Sequence, residues 1–222
     1  IGPWTISPSP SGNTVTNSSN PTCNTNSSYI RLNNTSNVTV ENFTFGAESC
    51  YAIVLNGTNS DLTVRNNTSQ GISGVPAIQN FGTLVQPIFY NNTFNNFLHG
   101  FYLSTVTGSL NVTNNTVTPN GLNGNALYAN LTGVPGASIN IANNNFASWQ
   151  NGIWLENLTG PYTLPSTNNV MNSGITSSGV CDISNSNAAI ILQNTSNVTI
   201  SNMNLGSATC YGVKLLGVNT NT

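Results

Sequence analysis

The sequence predicts an all-β chain, a parallel β-helix (solenoid) of about eight coils, and three observations carry that prediction. The first is a duplication. Residues 23–55 (CNTNSSYIRLNNTSNVTVENFTFGAESCYAIVL) and 181–215 (CDISNSNAAIILQNTSNVTISNMNLGSATCYGVKL) say nearly the same thing, and Thr35-Ser36-Asn37-Val38-Thr39 returns as Thr195-Ser196-Asn197-Val198-Thr199, 160 residues later. Repetition of this kind marks one structural unit used near both ends of a repeating body. The second is a short apolar strand that recurs through the whole chain at intervals of roughly two dozen residues or somewhat more, the period of one solenoid coil. The third is an alternation of apolar residues with Thr or Asn between those strands, period two and therefore strand, with no sustained 3.6-residue period anywhere.

The recurring first strand begins with a small residue or Tyr and continues with an apolar residue, an outward position and often Leu. Its members are Tyr29–Leu32, Ala52–Leu55, Ala77–Asn80, Gly100–Leu103, Ala126–Ala129, Gly152–Leu155, Ala189–Leu192 and Gly212–Leu215. The second set reads Val38-Thr39-Val40, Leu62-Thr63-Val64, Leu110-Asn111-Val112, Ile139-Asn140-Ile141 and Val198-Thr199-Ile200, with Pro87-Ile88-Phe89 a weaker member. Asn- and Gly-rich turns follow each strand. Two or three strands per coil are expected, and the repeating body spans residues 23–217.

Residues 1–22 stand outside the repeat. Ile1-Gly2-Pro3-Trp4-Thr5-Ile6 is a short apolar stretch on a Pro/Ser spacer. It reads either as a strand folded back over the first coil or as an arm whose Ile1, Trp4 and Ile6 dock on a neighbouring subunit by strand addition; the second is the expectation taken forward. Just after each second strand comes an Asn: Asn42, Asn66, Asn91, Asn114, Asn143, Asn168 and Asn202. Stacked one above another, these amides are expected to form a hydrogen-bonded ladder. Pro161 to Asn187 breaks the rhythm and reads as a loop insertion on one edge (161–187), and residues 218–222 as a polar tail.

Charge is the unusual feature of the composition. Among 222 residues there are three basic side chains (Arg31, Arg65, Lys214), five acidic ones (Glu41, Glu48, Asp61, Glu156, Asp182) and one histidine, His99. Three scattered cations do not supply the clustered charge that a nucleic-acid backbone or a polybasic membrane site requires, so no nucleic-acid partner is expected. No apolar run reaches transmembrane length. Acid unfolding comes largely from protonating paired carboxylates, so a chain with five is expected to tolerate an acidic exterior.

Sixteen Asn-x-Ser/Thr sequons are present: Asn17, Asn26, Asn33, Asn34, Asn37, Asn42, Asn56, Asn66, Asn67, Asn91, Asn111, Asn114, Asn130, Asn157, Asn194 and Asn197. A chain rich in Asn and Thr generates sequons by chance; read functionally, they are N-glycan acceptors, which operate in secreted chains. Those after first-set strands, such as Asn56, Asn130 and Asn157, are the expected outward acceptors. The conflict with an inward ladder is plain at Asn42, Asn66, Asn91 and Asn114: either that turn points outward or those four are unmodified. Four cysteines point to the same compartment. Of three possible pairings the duplicated brackets favour Cys23 with Cys50 and Cys181 with Cys210.

Candidates for chemistry are few. His99 is the lone histidine and no carboxylate pair sits at ligand spacing, so no metal, no cofactor and no catalytic residue is expected. The outward position of the first strand set runs Arg31, Val54, Gln79, Tyr102, Tyr128, Trp154, Ile191, Lys214. Stacked strands would bring Tyr102, Tyr128 and Trp154 into an aromatic ladder, serving either to stabilise the sheet or as a contact face for sugar or protein.

The recurrent Ile-x-Leu, Asn-x-Thr-Ile and Asn-Asn patterns resemble the repeats of right-handed parallel β-helices of the pectate-lyase-like superfamily over about residues 23–217. The resemblance implies a right-handed solenoid. Many members of that group cleave polysaccharides with acidic clusters, basic residues or bound calcium on one face, and this sequence lacks those clusters; Glu156 beside Trp154 is the one carboxylate next to the aromatic stretch. The composition also resembles that of surface glycoproteins of thermoacidophilic archaea. The expected function is therefore an extracellular, non-enzymatic, glycosylated structural protein of the cell surface, a subunit of a filament or surface layer. Its expected partners are copies of itself in a homopolymer, covalently attached N-glycans and surface polysaccharide. A carbohydrate-binding or adhesin module and a degenerate polysaccharide lyase or hydrolase are the alternatives.

Overall fold

The computed structural model describes residues 3–7, 28–71, 74–121, 124–134, 138–164, 188–201, 205 and 210–222, with the side chains of 47–49 left aside. These residues form a right-handed parallel β-solenoid. A leading strand, β1 (Trp4–Ile6), precedes the first coil, which holds β2 (Ser28–Asn33), β3 (Val38–Glu41) and β4 (Thr44–Ser49). The second coil holds β5 (Tyr51–Asn56), β6 (Thr58–Ser60), β7 (Thr63–Arg65) and β8 (Thr68–Gly71), and the third β9 (Pro76–Asn80), β10 (Thr83–Val85), β11 (Ile88–Tyr90) and β12 (Thr93–Phe97). The fourth holds β13 (His99–Leu103), β14 (Val106–Thr107), β15 (Leu110–Thr113) and β16 (Thr116–Pro119). Then come β17 (Asn125–Asn130) with β18 (Ile139–Ala142), β19 (Asn151–Glu156) with β20 (Thr159–Leu164), β21 (Ala188–Gln193) with β22 (Ser196–Ile200), and β23 (Tyr211–Leu216).

The first strand set stacks into one eight-stranded parallel sheet, β2-β5-β9-β13-β17-β19-β21-β23, in which every expected member takes its place. The second set forms a sheet in the order β1-β3-β7-β11-β15-β18, with β20-β22 as a separate pair. Two further sheets, β4-β8-β12-β16 and β6-β10-β14, were not expected, so the middle coils carry four strands each. Their strands are short and rich in Thr, Ser and Asn, which hides the apolar signal that would mark them.

The corners explain the composition. Asn34, Asn37, Asn42, Asn66, Asn91, Asn114, Asn143, Asn157, Asn194 and Asn197 all have φ between 51° and 63°. Asn is among the few side chains that enter this left-handed region readily, because its short amide bonds locally to the backbone. A coil with several such corners therefore consumes asparagines for backbone reasons alone. Gly57 and Gly217 occupy the same corner as Asn34 and Asn194, and an added Cβ would meet the Asn34 and Asn194 side chains at 2.1 Å.

Inside, Ile53, Leu55, Ile78, Phe101, Leu103, Leu127, Ile153, Leu155, Ile190 and Leu192 are fully buried in one continuous core. Each such side chain contributes about 1.5–3 kcal/mol on burial. A polar file runs through this interior. Asn67, Asn92, Asn115 and Asn144 are buried and chain together through Nδ2–H···Oδ1 bonds of 3.0, 2.9 and 3.0 Å. Each Oδ1 also accepts a backbone N–H from the coil before: Phe43 to Asn67, Asn67 to Asn92, Asn92 to Asn115 and Asn115 to Asn144. The expected ladder is thus displaced by one residue. Asn42, Asn66, Asn91, Asn114 and Asn143 take the left-handed corner and face solvent, and the residue after each of the last four turns inward. Phe43 holds the first coil's inward place. Asn168 and Asn202 lie outside the described residues.

Three other expectations need restating. Within the chain Trp4–Ile6 takes the folded-back reading: β1 lies parallel on the chain's own β3, with Trp4 opposite Val38 and Ile6 opposite Val40. Two alternating apolar residues are enough to extend that edge, and β3 offers the nearest one. Ile1 lies outside the described residues. Thr159–Leu164 is a solenoid strand with Tyr162 and Leu164 buried, so the expected insertion does not begin at Pro161; its remainder falls outside the described residues. Finally, no disulfide joining two described residues is found; Cys50 and Cys210 are disulfide-bonded and not free thiols, and the partners expected for them from the repeat, Cys23 for Cys50 and Cys181 for Cys210, lie outside the described residues.

The duplication has a structural counterpart. Thr35 donates through N–H and Oγ1–H to Asn59 Oδ1 at 3.1 and 2.7 Å, and Thr195 does the same to Asn219 at 3.0 and 2.8 Å. Thr58 N–H donates to Asn34 Oδ1 and Val218 N–H to Asn194 Oδ1. The equivalence therefore extends through residue 220, beyond the stretch that sequence alone aligns.

Candidate functional site

The eight-stranded sheet sets its outward file in strict register: Arg31 opposite Val54, Val54 opposite Gln79, then Tyr102, Tyr128, Trp154, Ile191 and Lys214. Parallel pairing without a shift leaves each side chain directly above its neighbour, about 4.8 Å away. The expected aromatic ladder is present. Tyr102 and Tyr128 stack with centroids 4.7 Å apart and planes 26° from parallel, and Tyr128 meets Trp154 edge-on at 5.7 Å. All three are half-buried.

The rest of the file is less open than alternation suggests. Val54 is buried under Cys50, Tyr51 and Val75, and Ile191 is also fully buried. The exposed aromatic face is thus confined to the three middle coils.

His99 extends this face. It packs edge-on against Tyr102 at 5.3 Å, and its Nδ1 accepts the Asn125 N–H at 3.0 Å. Burial pushes its pKa down to about 4, because desolvation disfavours the imidazolium. His99 is therefore neutral and proton-poor at Nδ1 through most of the acidic range. Below it in the stack, Asn151 donates to Asn125 at 2.8 Å and accepts the Ala188 N–H, a second short polar file that sequence reasoning missed. The signal lay in the residue before the small residue of the recurring strand, His99, Asn125 and Asn151.

Glu156 is not a free carboxylate: the Tyr128 hydroxyl donates to its Oε2. Burial first, and then this bond, hold the Tyr128 phenol well above its ordinary range. Trp154 Nε1 is buried without a hydrogen-bond partner. Beside the ladder, Phe81, His99 and Tyr102 wall a cleft of about 480 Å³, with Gln79, Asn80 and Ser104 supplying amide and hydroxyl groups. Phe81 is half exposed at 49%. The cleft is neutral and lined by aromatic and amide side chains together, which suits a polyhydroxylated, uncharged ligand.

Among the described residues no group of three His, Cys, Asp or Glu side chains is placed to hold a metal ion. The one ion pair among them, Arg65 Nε to Glu41 Oε2 at 2.6 Å, lies on the sheet of β3 and β7, away from the aromatic face. Surface pairs of this kind add little, about 0–1 kcal/mol. No helix among the described residues is long and apolar enough to cross a membrane.

The sequons separate by exposure. Asn33, Asn34, Asn37, Asn42, Asn66, Asn91, Asn114, Asn194 and Asn197 are exposed, and Asn56, Asn111, Asn130 and Asn157 are half-buried. Asn67 is buried, and its Nδ2 donates to Val40 O, Arg65 O and Asn92 Oδ1. A glycan is attached through that nitrogen, so the folded chain has no room for one there. Asn17 and Asn26 lie outside the described residues. Comparisons with protein-family models, with curated proteins and with solved structures find no match.

Proposed function

We propose that this chain is an extracellular, N-glycosylated structural solenoid, a non-enzymatic subunit of a cell-surface filament or surface layer that assembles with its own copies. The observation that carries the reading is the disposition of the sequons. Eight of the exposed acceptors, Asn34, Asn37, Asn42, Asn66, Asn91, Asn114, Asn194 and Asn197, sit at left-handed corners. Corners project furthest from a solenoid, and an amide there can take a bulky substituent without disturbing a strand. A surface of amides and hydroxyls with 4% charged residues is also suited to a coat of neutral sugars.

The test is intact glycopeptide mapping of native material, together with direct imaging of its assembly state. Glycans on several corner sequons, on protein that images as a polymer or a two-dimensional layer, are the expected result. Bare corners throughout, on monomeric protein, overturn the proposal.

A second reading rests on a separate observation, the stacked Tyr102–Tyr128 pair and its neighbouring cleft. Parallel aromatic faces beside amide groups are suited to holding sugar rings, so the middle of the eight-stranded sheet would serve as a contact for neutral polysaccharide. Under this reading Tyr128→Ala and Phe81→Ala each weaken retention on a neutral polysaccharide gel by severalfold while the circular dichroism of the sheet is kept. Unchanged retention removes it.

A further inference from the structure

The two ends of the described stack are stepped in opposite senses. At the N-terminal end the second-set sheet projects one rung beyond the eight-stranded sheet, because β1 lies over β3 and, among the described residues, no strand lies over β2. At the other end the eight-stranded sheet projects, because β23 lies beyond β21 while β22 is the last member of its pair. Both steps carry core-facing positions that are open to solvent. Trp4 and Ile6, in register with the buried Val38 and Val40, are 66% and 37% exposed. Val213 and Leu215, in register with the buried Ile190 and Leu192, are 39% and 50% exposed.

We infer that these steps are the two halves of one joint, occupied by a second copy of this chain. β23 and Gly217–Thr220 of one copy form, with β1 of the next, a single shared coil. This inference rests on the self-assembly proposed above and names its contact. In the shared coil, β23 pairs with β2 of the next copy, and that copy's β1 lies against β22. Leu215, in the inward file that Leu32 begins, enters the cleft of about 420 Å³ that Trp4 and Ile6 wall with Leu32 and Val38. The geometry of the segment after β23 is already used within the chain, since Gly217–Thr220 bonds to Asn194 and Thr195 as Gly57–Ser60 bonds to Asn34 and Thr35. The contact joins two different surfaces, so it propagates into a filament instead of closing as a twofold dimer. Each subunit then contributes eight rungs of the eight-stranded sheet, an axial repeat of about 38 Å at about 4.8 Å per rung. In this register Lys214 of one copy stands beside Arg31 of the next, a like-charge contact that opposes the joint.

The experiment uses the 222-residue chain, its Trp4→Asp and Leu215→Asp variants, and Arg31→Glu. Filaments with an axial repeat near 38 Å are expected from the parent chain. Each Asp variant alone should raise the critical concentration at least tenfold. An equimolar mixture of the two should stop at a dimer in sedimentation velocity, because each retains one intact end. Arg31→Glu should lower the critical concentration severalfold. Filaments of the parent chain with a different repeat, or filaments that persist in both Asp variants, overturn this joint and leave self-assembly standing. A parent chain that stays monomeric at high concentration overturns both.

Discussion

Asn115 is the position where the internal polar file is most open to test. Its Nδ2 donates to Phe89 O, Thr113 O and Asn144 Oδ1, each at 3.0 Å, and its Oδ1 accepts the Asn92 N–H at 3.0 Å and the Asn92 Nδ2–H at 2.9 Å. Asn115→Ala removes all five bonds. Some of the groups have a second partner: Asn92 Nδ2 keeps Val64 O, Asn144 Oδ1 keeps the Asn115 N–H, and Thr113 O keeps the Asn91 N–H. The Asn92 N–H loses the most, since the Phe89 carbonyl sits within the β11–β15 ladder. A buried donor left without a partner costs about 1–3 kcal/mol and each further lost bond about 0.5–1.5 kcal/mol, so the substitution should cost roughly 2–5 kcal/mol. The control is the preceding residue. Asn114 is exposed with φ 58°, so Asn114→Gly should lie within about 0.5 kcal/mol of the parent. Asn114→Ala should lose about 1–2 kcal/mol for forcing an ordinary side chain into the left-handed region. Urea unfolding followed by the β-sheet circular dichroism band measures all three. If Asn114→Ala costs as much as Asn115→Ala, the inward file is not what fixes the corner and the reasoning fails.

Other expected outcomes follow from single residues. His99 has a folded pKa near 4 against 6.5 unfolded, so between those values the unfolded chain binds the extra proton. Stability from this group is complete above pH 6.5 and declines as pH falls towards 4, by on the order of 3 kcal/mol at most. His99→Asn should flatten that decline in pH-dependent melting, and an unchanged slope would assign the acid sensitivity elsewhere. An added Cβ at Gly100 would lie 2.4 Å from Ala126 O and 2.7 Å from Val117 Cγ1; Gly100→Ala should therefore lose about 1–3 kcal/mol in the same urea assay, and a neutral result refutes the tight approach of these coils. In glycopeptide maps Asn67 should be bare whatever the state of Asn66, and a glycan on Asn67 would contradict the inward file.

Much of the architecture was legible because a parallel stack repeats its inward residues. Ile53, Ile78, Phe101, Leu127, Ile153 and Ile190 fall at one position of eight strands that the sequence marks without help. The aromatic file was legible for the same reason: register follows from the core, and the outward neighbours come with it. The ladder was misplaced because Asn-Asn pairs are ambiguous as written. Either member can take φ near 60°, and only the coil's geometry decides that Asn66, Asn91 and Asn114 turn outward while Asn67, Asn92 and Asn115 turn in. The strands of the two extra sheets were invisible because Thr58–Ser60 and Thr68–Gly71 alternate polar with polar: Asn59 and Ser69 are the buried members. His99 gave no sign of its burial, since a single histidine carries no period.

The misplaced ladder also changes what the sequons mean. In Asn66-Asn67-Thr68, Asn91-Asn92-Thr93 and Asn114-Asn115-Thr116 the first residue turns the corner, the second fills the interior, and the third opens a strand whose Thr residues stack in register. Each part has a backbone or packing reason, so a sequon arises at every such corner before any sugar is considered. The same stacking sets those acceptors about one strand spacing apart, near 4.8 Å. Asn91 already donates its Nδ2 to Asn66 Oδ1 at 2.9 Å. Adjacent corners are therefore competitors: a sugar on Asn91 takes one of the two hydrogens of that Nδ2 and crowds Asn66 and Asn114. Occupancy along this file should alternate, with modified corners separated by at least one bare one. Asn34 and Asn37, separated by a turn and not in the same file, are free of that exclusion. Site-resolved occupancy within single glycopeptides spanning Asn66 and Asn91 tests the point, and frequent double modification of that pair would show that the corners are spaced more widely than a parallel stack allows.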